Sequence, residues 1–349
     1  MPTKSLEELE AMVGDSRVTV EDFRIEAGKV EEFARAITAD DPVFRDESVA
    51  VNRGYERVPA PLTYSQVGRF PRYTPEDVDG KGFDLGFQPE YVLHGEQAHE
   101  YERPVAVGDV LEGTTTLTNV FQREGGRAGT MTFAVLETEY RDQNDDLVLT
   151  DRSTAIETSG AVDDNGDDGS DVGGDDDSSG EDVASSTEDV AEANGGTVTA
   201  DRDVPSSTAG EFERVRTIDG LAVGDAGPTV VVEDLERQHF VKYAGASGDF
   251  NPIHYDEPYA TAAGNESIFG QGMFTAGVTS RVVTTWFDVA DVTSFGVRFQ
   301  SRVFPGDTIV ATGEVAEIDR DEGTAEAELE ATTTTGETLL TGTASVDLE

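Results

Sequence analysis

The sequence predicts an α+β protein built from two similar halves, each with helices and several antiparallel strands curled against them. Three observations lead there: the same order of elements occurs twice, each half closes in strand-like alternation, and an acidic tract divides the two.

The tract is the plainest of the three. From Ser159 to about Gly210 the chain has no aromatic residue and a single base, Arg202. Such a segment cannot bury enough apolar area to offset the entropy of ordering it. A disordered linker at 159–210 is therefore expected, between an N-terminal domain at 1–158 and a C-terminal domain at 211–349. Its aspartates do not follow calcium-loop spacing, and no metal site is expected.

Each half opens with a helical stretch. VEEFARAITADDPVF spaces Val30, Phe33, Ala34 and Ile37 on one face, and DLERQHFVKYAGASGDFNPIH does the same with Leu235, Phe240, Val241 and Tyr243. A more apolar helix is expected next in each half, near Leu62 to Phe70 and from Met273 to Phe287. Alternating segments follow: 99–122, 129–142 and 147–158 in the first half, 292–318, 324–335 and 337–348 in the second. Turns are marked by Gly108-Asp109, Gly306-Asp307, Gly125-Gly126 and Gly336. PVAVGDVLEGTTTLTNV and RVFPGDTIVATGEVAEI both set a Gly-Asp turn before a long strand. The two sheets could then pair edge to edge, which would remove exposed strand edges.

Charge narrows the function. The formal net charge is -47, from 72 acidic against 25 basic residues. Only Lys4, Lys29, Lys81 and Lys242 are lysines. Nucleic acid and anionic membrane surfaces are excluded as partners by repulsion. A carboxylate-rich, lysine-poor surface suits molar salt, where the Debye length is short, so a halophile with a salt-filled cytoplasm is the expected source. There is no cysteine for disulfide or thiolate chemistry. The N-terminus lacks a signal-peptide pattern and no apolar run is long enough for a membrane span, so a cytoplasmic protein is expected.

The densest chemical signal is Ser247-Gly248-Asp249-Phe250-Asn251-Pro252-Ile253-His254. It reads as a helix ending near Gly248, then a tight turn held by Asn251 and Pro252. A folded-back loop would bring the Asp249 carboxylate and the His254 imidazole to one water molecule, suiting addition of water to an activated double bond or its removal. A capping aspartate and a surface histidine are the plain structural alternative. The second signal is Gly270-Gln271-Gly272 ahead of an apolar helix, whose free N–H groups would meet developing negative charge. Simple helix initiation explains that segment equally well. His94, His99 and His239 carry no such pattern. No dinucleotide fingerprint, phosphate loop or serine-hydrolase elbow occurs.

SGDFNPIH, followed by YDEPYATAAG and GQGM, resembles the MaoC-like hydratase family, which includes (R)-specific enoyl-CoA hydratases and hydroxyacyl dehydratases. The resemblance implies a double hot-dog fold. It makes Asp249 and His254 the catalytic pair, Gly272 N–H the oxyanion contact, and Ser247, Gly248, Asn251 and Pro252 the support of the loop. Gln271 departs from the family pattern, where histidine is frequent. The first half resembles the family's degenerate N-terminal domain: in AITADDPVFRDE, Ala39, Asp41 and Phe44 stand where Asp, Asn and His would be, so this half is expected to be inactive.

The reaction implied is reversible hydration of a trans-2-enoyl-CoA to an (R)-3-hydroxyacyl-CoA. It needs no cofactor beyond the CoA of the substrate. CoA is favoured over acyl carrier protein on the background that archaeal halophiles largely lack bacterial-type fatty acid synthesis. Arg281, Arg298, Arg123 and Arg127 are candidates for its phosphates. The alternatives are an acyl-CoA thioesterase, a mesaconyl-CoA-type hydratase and a non-catalytic acyl-binding scaffold. A monomer of two hot-dog domains, or a homodimer of such units, is expected.

Overall fold

The computed structural model describes residues 2–70, 82–88, 91–125, 129–158, 204–210 and 212–348. Most of the expected linker, and Arg127, lie outside them.

Ten strands form one continuous antiparallel sheet. The first half supplies β1 (Ser16–Arg24), β2 (Val92–Tyr101), β3 (Val110–Gly125), β4 (Gly129–Arg141) and β5 (Leu147–Glu157). The second supplies β6 (Val230–Val232), β7 (Val292–Phe299), β8 (Ile309–Asp319), β9 (Thr324–Thr333) and β10 (Thr338–Asp347). The order is β1-β3-β4-β5-β2-β7-β10-β9-β8-β6, which reads identically from either end once β1 to β5 are matched with β6 to β10. The sequence repeat is thus a structural repeat, and its two copies meet where β2 pairs with β7, from Glu96 opposite Arg298 to Glu100 opposite Ser294. The edge-to-edge union removes one exposed edge from each half-sheet.

Alternation sets which face is buried. In β9, Ala325, Ala327, Leu329 and Ala331 are buried, and Glu328 and Glu330 between them are exposed. The Gly-Asp turns are built alike in both halves. Gly108 and Gly306 adopt φ of 94° and 96°. Asp109 accepts from Ala106 N at 3.0 Å, and Asp307 from Phe304 N at 2.7 Å. The alternating segments 99–122 and 292–318 each break at these turns into two strands.

The helices are less symmetric. In the second half α7 (Gly272–Trp286) is buried at most of its positions and packs against β6 to β10. Its counterpart in the first half is only α4 (Gln66–Arg69), shorter than the helix expected from Leu62 to Phe70. Leu62–Ser65 form turns instead. Gly68 lies against the Phe23 ring, where a Cβ would come within 2.9 Å of Cδ1, and glycine with β-branched Thr63 and Val67 gives this segment weak helix propensity.

Two further helices bind the halves together: α2 (Ala27–Ala36) lies against α5 (Arg237–Ser247). Phe23, Tyr64, Phe33, Tyr243 and Phe274 form a run of ring contacts at 5.4–5.9 Å that passes from β1 to α7. One apolar cluster therefore spans both halves. Among the described residues, no helix is long and apolar enough to cross a membrane.

Candidate active site

The site grows from the end of α5. Gly248 takes the left-handed conformation, φ 89°, that ends a helix, and its N–H caps Ala244 O. Ser247 Oγ donates to Tyr243 O at 2.8 Å and accepts from Asp249 N at 3.1 Å. Asp249 Oδ1 accepts from Asn251 N at 3.3 Å, and Asn251 Oδ1 from Ile253 N at 3.2 Å. Pro252 begins a single 3-10 turn, 252–254, that carries His254 inward. Each short polar side chain fixes the backbone two residues ahead, so the loop folds back on itself.

His254 is buried, and its Nδ1 lies 2.9 Å from Phe269 O. A carbonyl only accepts, so Nδ1 carries the proton and Nε2 presents a lone pair. That Nε2 is 3.7 Å from Asp249 Oδ2. Burial lowers the pKa of His254, against the opposing pull of the Asp249 charge and the Phe269 hydrogen bond. Two acceptors thus face each other across a gap that one water molecule, with two donors, can bridge.

Gln271 precedes α7. It is buried, and its Nε2 donates to Phe240 O at 3.2 Å and Asp249 O at 3.4 Å, tying the Asp249 loop to the start of that helix. Gly272, the first residue of α7, has an N–H without an intrahelical partner. Gly270 is required by packing: a Cβ there would lie 2.7 Å from Val303 Cγ1 and 2.8 Å from Phe240 Cε1.

Asp249, Asn251, His254, Gly270 and Gly272 all line one cavity of about 1550 Å³ that continues into the first half of the chain. Ser247 and Gly248 stand behind the loop.

The first half carries the same loop with different side chains. Asp41 caps the 3-10 turn 42–44 as Asn251 caps 252–254, with φ/ψ of -59°/120° against -58°/124°. Thr38 holds the left-handed conformation of Gly248 at φ 58°. Ala39 and Phe44 are buried apolar groups. Asp41 has become an anchor, accepting from Arg53 at 2.8 Å and from Arg214 of the second half at 2.5 Å.

Of the arginines expected to serve CoA, the three that are described lie away from the cavity. Arg281 donates to Thr38 Oγ1 at 2.6 Å, Arg298 lies 3.6 Å from Glu96, and Arg123 stacks on Phe121 and Phe133. None of the three lines the cavity. Arg302 does, seated 4.9 Å above the Phe269 ring beside His254. Gln66, Arg69 and His94 line the cavity from the first half. No local motif marks these residues, because pairing distant in sequence brings them there.

Residues 212–337 match the family model described as MaoC like domain, and residues 11–151 match the FAS1-like dehydratase domain region. A UPF0336 protein of Clavibacter michiganensis is 38% identical over 109 residues, covering 31% of this chain and 71% of the relative. The chain belongs to the MaoC-like dehydratase family.

Other similarities extend over different portions of this MaoC-like protein. The peroxisomal multifunctional enzyme type 2 of Mus musculus is 34% identical over 108 residues, 29% of this chain and 15% of that enzyme. A solved MaoC-like dehydratase superposes with a TM-score of 0.73 at 24% identity, covering 98% of this chain and 100% of the other. A Mycobacterium tuberculosis protein described as a double hotdog fold gives 0.60 at 15% identity, with 98% of each chain covered. This MaoC-like chain has the double hot-dog architecture.

Proposed function

We propose that the protein catalyses reversible hydration of a trans-2-enoyl-CoA to an (R)-3-hydroxyacyl-CoA, with Asp249 and His254 as the catalytic pair. The observation that carries this reading is the pair of acceptors, Oδ2 and Nε2, 3.7 Å apart on the wall of a large cavity. A water donating to both has its oxygen lone pairs free to attack C3. One acceptor takes its proton, and a proton from the pair passes to C2 on the same face, giving syn addition. Gly272 N–H receives the thioester oxygen as it gains enolate charge. The reverse sequence eliminates water. The (R) configuration is supported by the family resemblance.

This reading divides labour along the chain. Residues 211–349 form the catalytic domain; residues 1–158, lacking both members of the pair, complete the sheet and line the cavity; and 159–210 connect them. Family background also favours CoA as the acyl carrier.

The test is hydration of crotonyl-CoA in about 2 M potassium chloride, which short screening lengths make a benign medium for this charge. Loss of enoyl-thioester absorbance, chirality of the product and free thiol are followed together. Asp249→Asn and His254→Ala should each reduce kcat/KM by about 10²–10⁴-fold. Thiol release without hydration would mark a thioesterase instead.

A further inference from the structure

The cavity runs between two apolar cores. Val20, Phe23, Val67 and Met273 line it and belong to the main one. A smaller cluster lies apart, formed by Leu9 of α1 (Leu6–Glu10), Leu85, and Leu117, Val120 and Ala134 of β3 and β4. Phe83, Leu85, Phe87 and Leu136 belong to this second cluster and line the cavity too. The main core takes one end of β3 and β4, at Leu111 and Tyr140, and the small core takes a stretch further on, where Leu117 faces Leu136. Between these, Thr115 pairs with Thr138 across the strands, and both line the cavity.

The threonine floor is polar in composition but bonded to itself. The hydroxyls of Thr19, Thr115 and Thr138 stand in a row, 2.6 Å and 2.8 Å apart, and an alkyl chain can lie over them while they keep these bonds. In the second half α7 covers the matching strands, and Gly313 of β8 lies where a Cβ would come within 3.2 Å of Val282. The first half has only the single turn α4, and α1 with residues 82–88 covers the far stretch of β3 and β4 instead.

That cover is well fastened. Thr3 N donates to Gly86 O at 2.8 Å, and Lys4 Nζ to Asp84 O at 2.7 Å. Gly86 has no room for a side chain, since a Cβ would lie 2.5 Å from Thr3 Oγ1. Gly14 N donates to Leu117 O at 2.8 Å and Leu117 N to Asp15 O at 3.1 Å, tying the chain after α1 to β3. Leu9 and Leu117 are fully buried within the cluster. Close-packed apolar side chains on a tied backbone yield little, so the cluster presents a wall to the cavity.

The wall stands at a defined distance from the thioester end. The Phe299 ring edge lies against Gly272, where a Cβ would come within 3.2 Å of Cε1, and the ring is 4.9 Å from that of His94, centroid to centroid. From His94 the register runs to Ala155 of β5 and on to Ala134 of β4, two strand spacings or about 10 Å further. Ala134 is already part of the small cluster.

We propose that Leu85 and Leu136, on the face of this wall, are the stop against which the far end of the acyl chain rests, and that they set the upper limit to the chain length hydrated. The inference rests on the hydratase reading and names specificity residues for that same site. A chain that ends short of the wall leaves apolar surface uncovered, and one that is too long must displace packed side chains to keep its thioester at Gly272. Both cost rate, the second more steeply, because the wall is backed by α1 and tied to residues 3–4.

The test uses the full chain and straight trans-2-enoyl-CoAs from crotonyl to hexadecenoyl length. Plotted against length, kcat/KM should rise to an optimum and fall by about tenfold or more beyond it, where further methylenes have no room. Leu85→Ala deepens the cavity and should move the optimum to longer chains; Leu85→Val makes the same change at less cost to packing and replaces it if the alanine variant does not fold. Leu136→Phe fills the approach to the wall and should move the optimum to shorter chains. A general loss of packing would lower kcat/KM at all lengths together, so opposite movements of the optimum support the proposal. If the wild type shows no upper limit over the series, or if the variants at the two positions do not move the optimum in opposite directions, the inference is overturned and the hydratase reading stands. If no enoyl-CoA is hydrated, the hydratase reading itself falls.

Discussion

In the proposed reaction His254 would act as an acceptor, because one carbonyl fixes its tautomer and burial favours its neutral form. Its pKa in the folded protein lies below the ordinary 6.5, so the folded state holds fewer protons than the unfolded state in the interval beneath that value. Stability from this group is accordingly present above 6.5 and lost as the pH falls through the folded pKa, and kcat/KM should follow the same limb. The Asp249 charge opposes this lowering, so Asp249→Asn should move the His254 titration to still lower pH. An NMR titration of the ring measures this directly; an upward shift would contradict the assigned geometry. Gly248→Ala places a side chain at φ 89° and 3.0 Å from Phe70 Cβ. It should cost about 1–2 kcal/mol of stability and disturb Asp249, whose backbone follows at once. The approach of Asp249 to His254 was legible from sequence because one short loop holds both. That Gln66, Arg69 and His94 line one cavity was not, because it depends on the Arg69 side chain reaching from α4 to Gln97 of β2 and to Asp151 and Ser153 of β5.

At the scale of elements, the strands and α7 followed from periodicity, since each buries a defined face or its whole circumference. The first-half helix did not: an apolar stretch reads as a helix until the packing of Gly68 on Phe23 is known. A second contact between the halves was also hidden. Gly277 of α7 lies where a Cβ would come within 2.5 Å of Ile37 Cγ2, so the helix backbone rests directly on the first half. Gly277→Val should push the halves apart and lower stability by about 1–3 kcal/mol, read as a lower urea midpoint with an unchanged far-ultraviolet spectrum. The Asp41 anchor acts on the same junction. Its side chain is 21% exposed and that of Arg214 17%, so Asp41→Ala leaves two arginines short of a partner in a partly closed site. A loss of about 2–4 kcal/mol is expected, the upper end belonging to fully buried pairs. Asp41→Asn should recover part of it by keeping the cap on Val43 N.

Across the whole molecule, the surplus of carboxylates should make stability depend on salt. If every one of the 25 bases were paired with an acid, 47 of the 72 carboxylates would still have no cationic partner. Many of the ion pairs that do form are exposed, as with Arg24–Asp22 and Arg141–Glu139, and such pairs contribute about 0–1 kcal/mol each. Salt screens both effects, weakening the exposed pairs and relieving repulsion among the surplus carboxylates. The repulsion involves more groups and acts over longer distances, so it dominates the response. The Debye length falls from about 8 Å near 0.15 M to about 3 Å at 1 M, less than the spacing of most neighbouring surface charges. The thermal midpoint should therefore rise by several degrees as potassium chloride is raised from about 0.15 M to about 1 M and beyond. Sodium chloride at equal ionic strength should reproduce most of the rise if screening is the cause. A flat or falling midpoint would mean that packing across the joined sheet already outweighs the repulsion, and the composition would then say nothing about the salt in which the protein works.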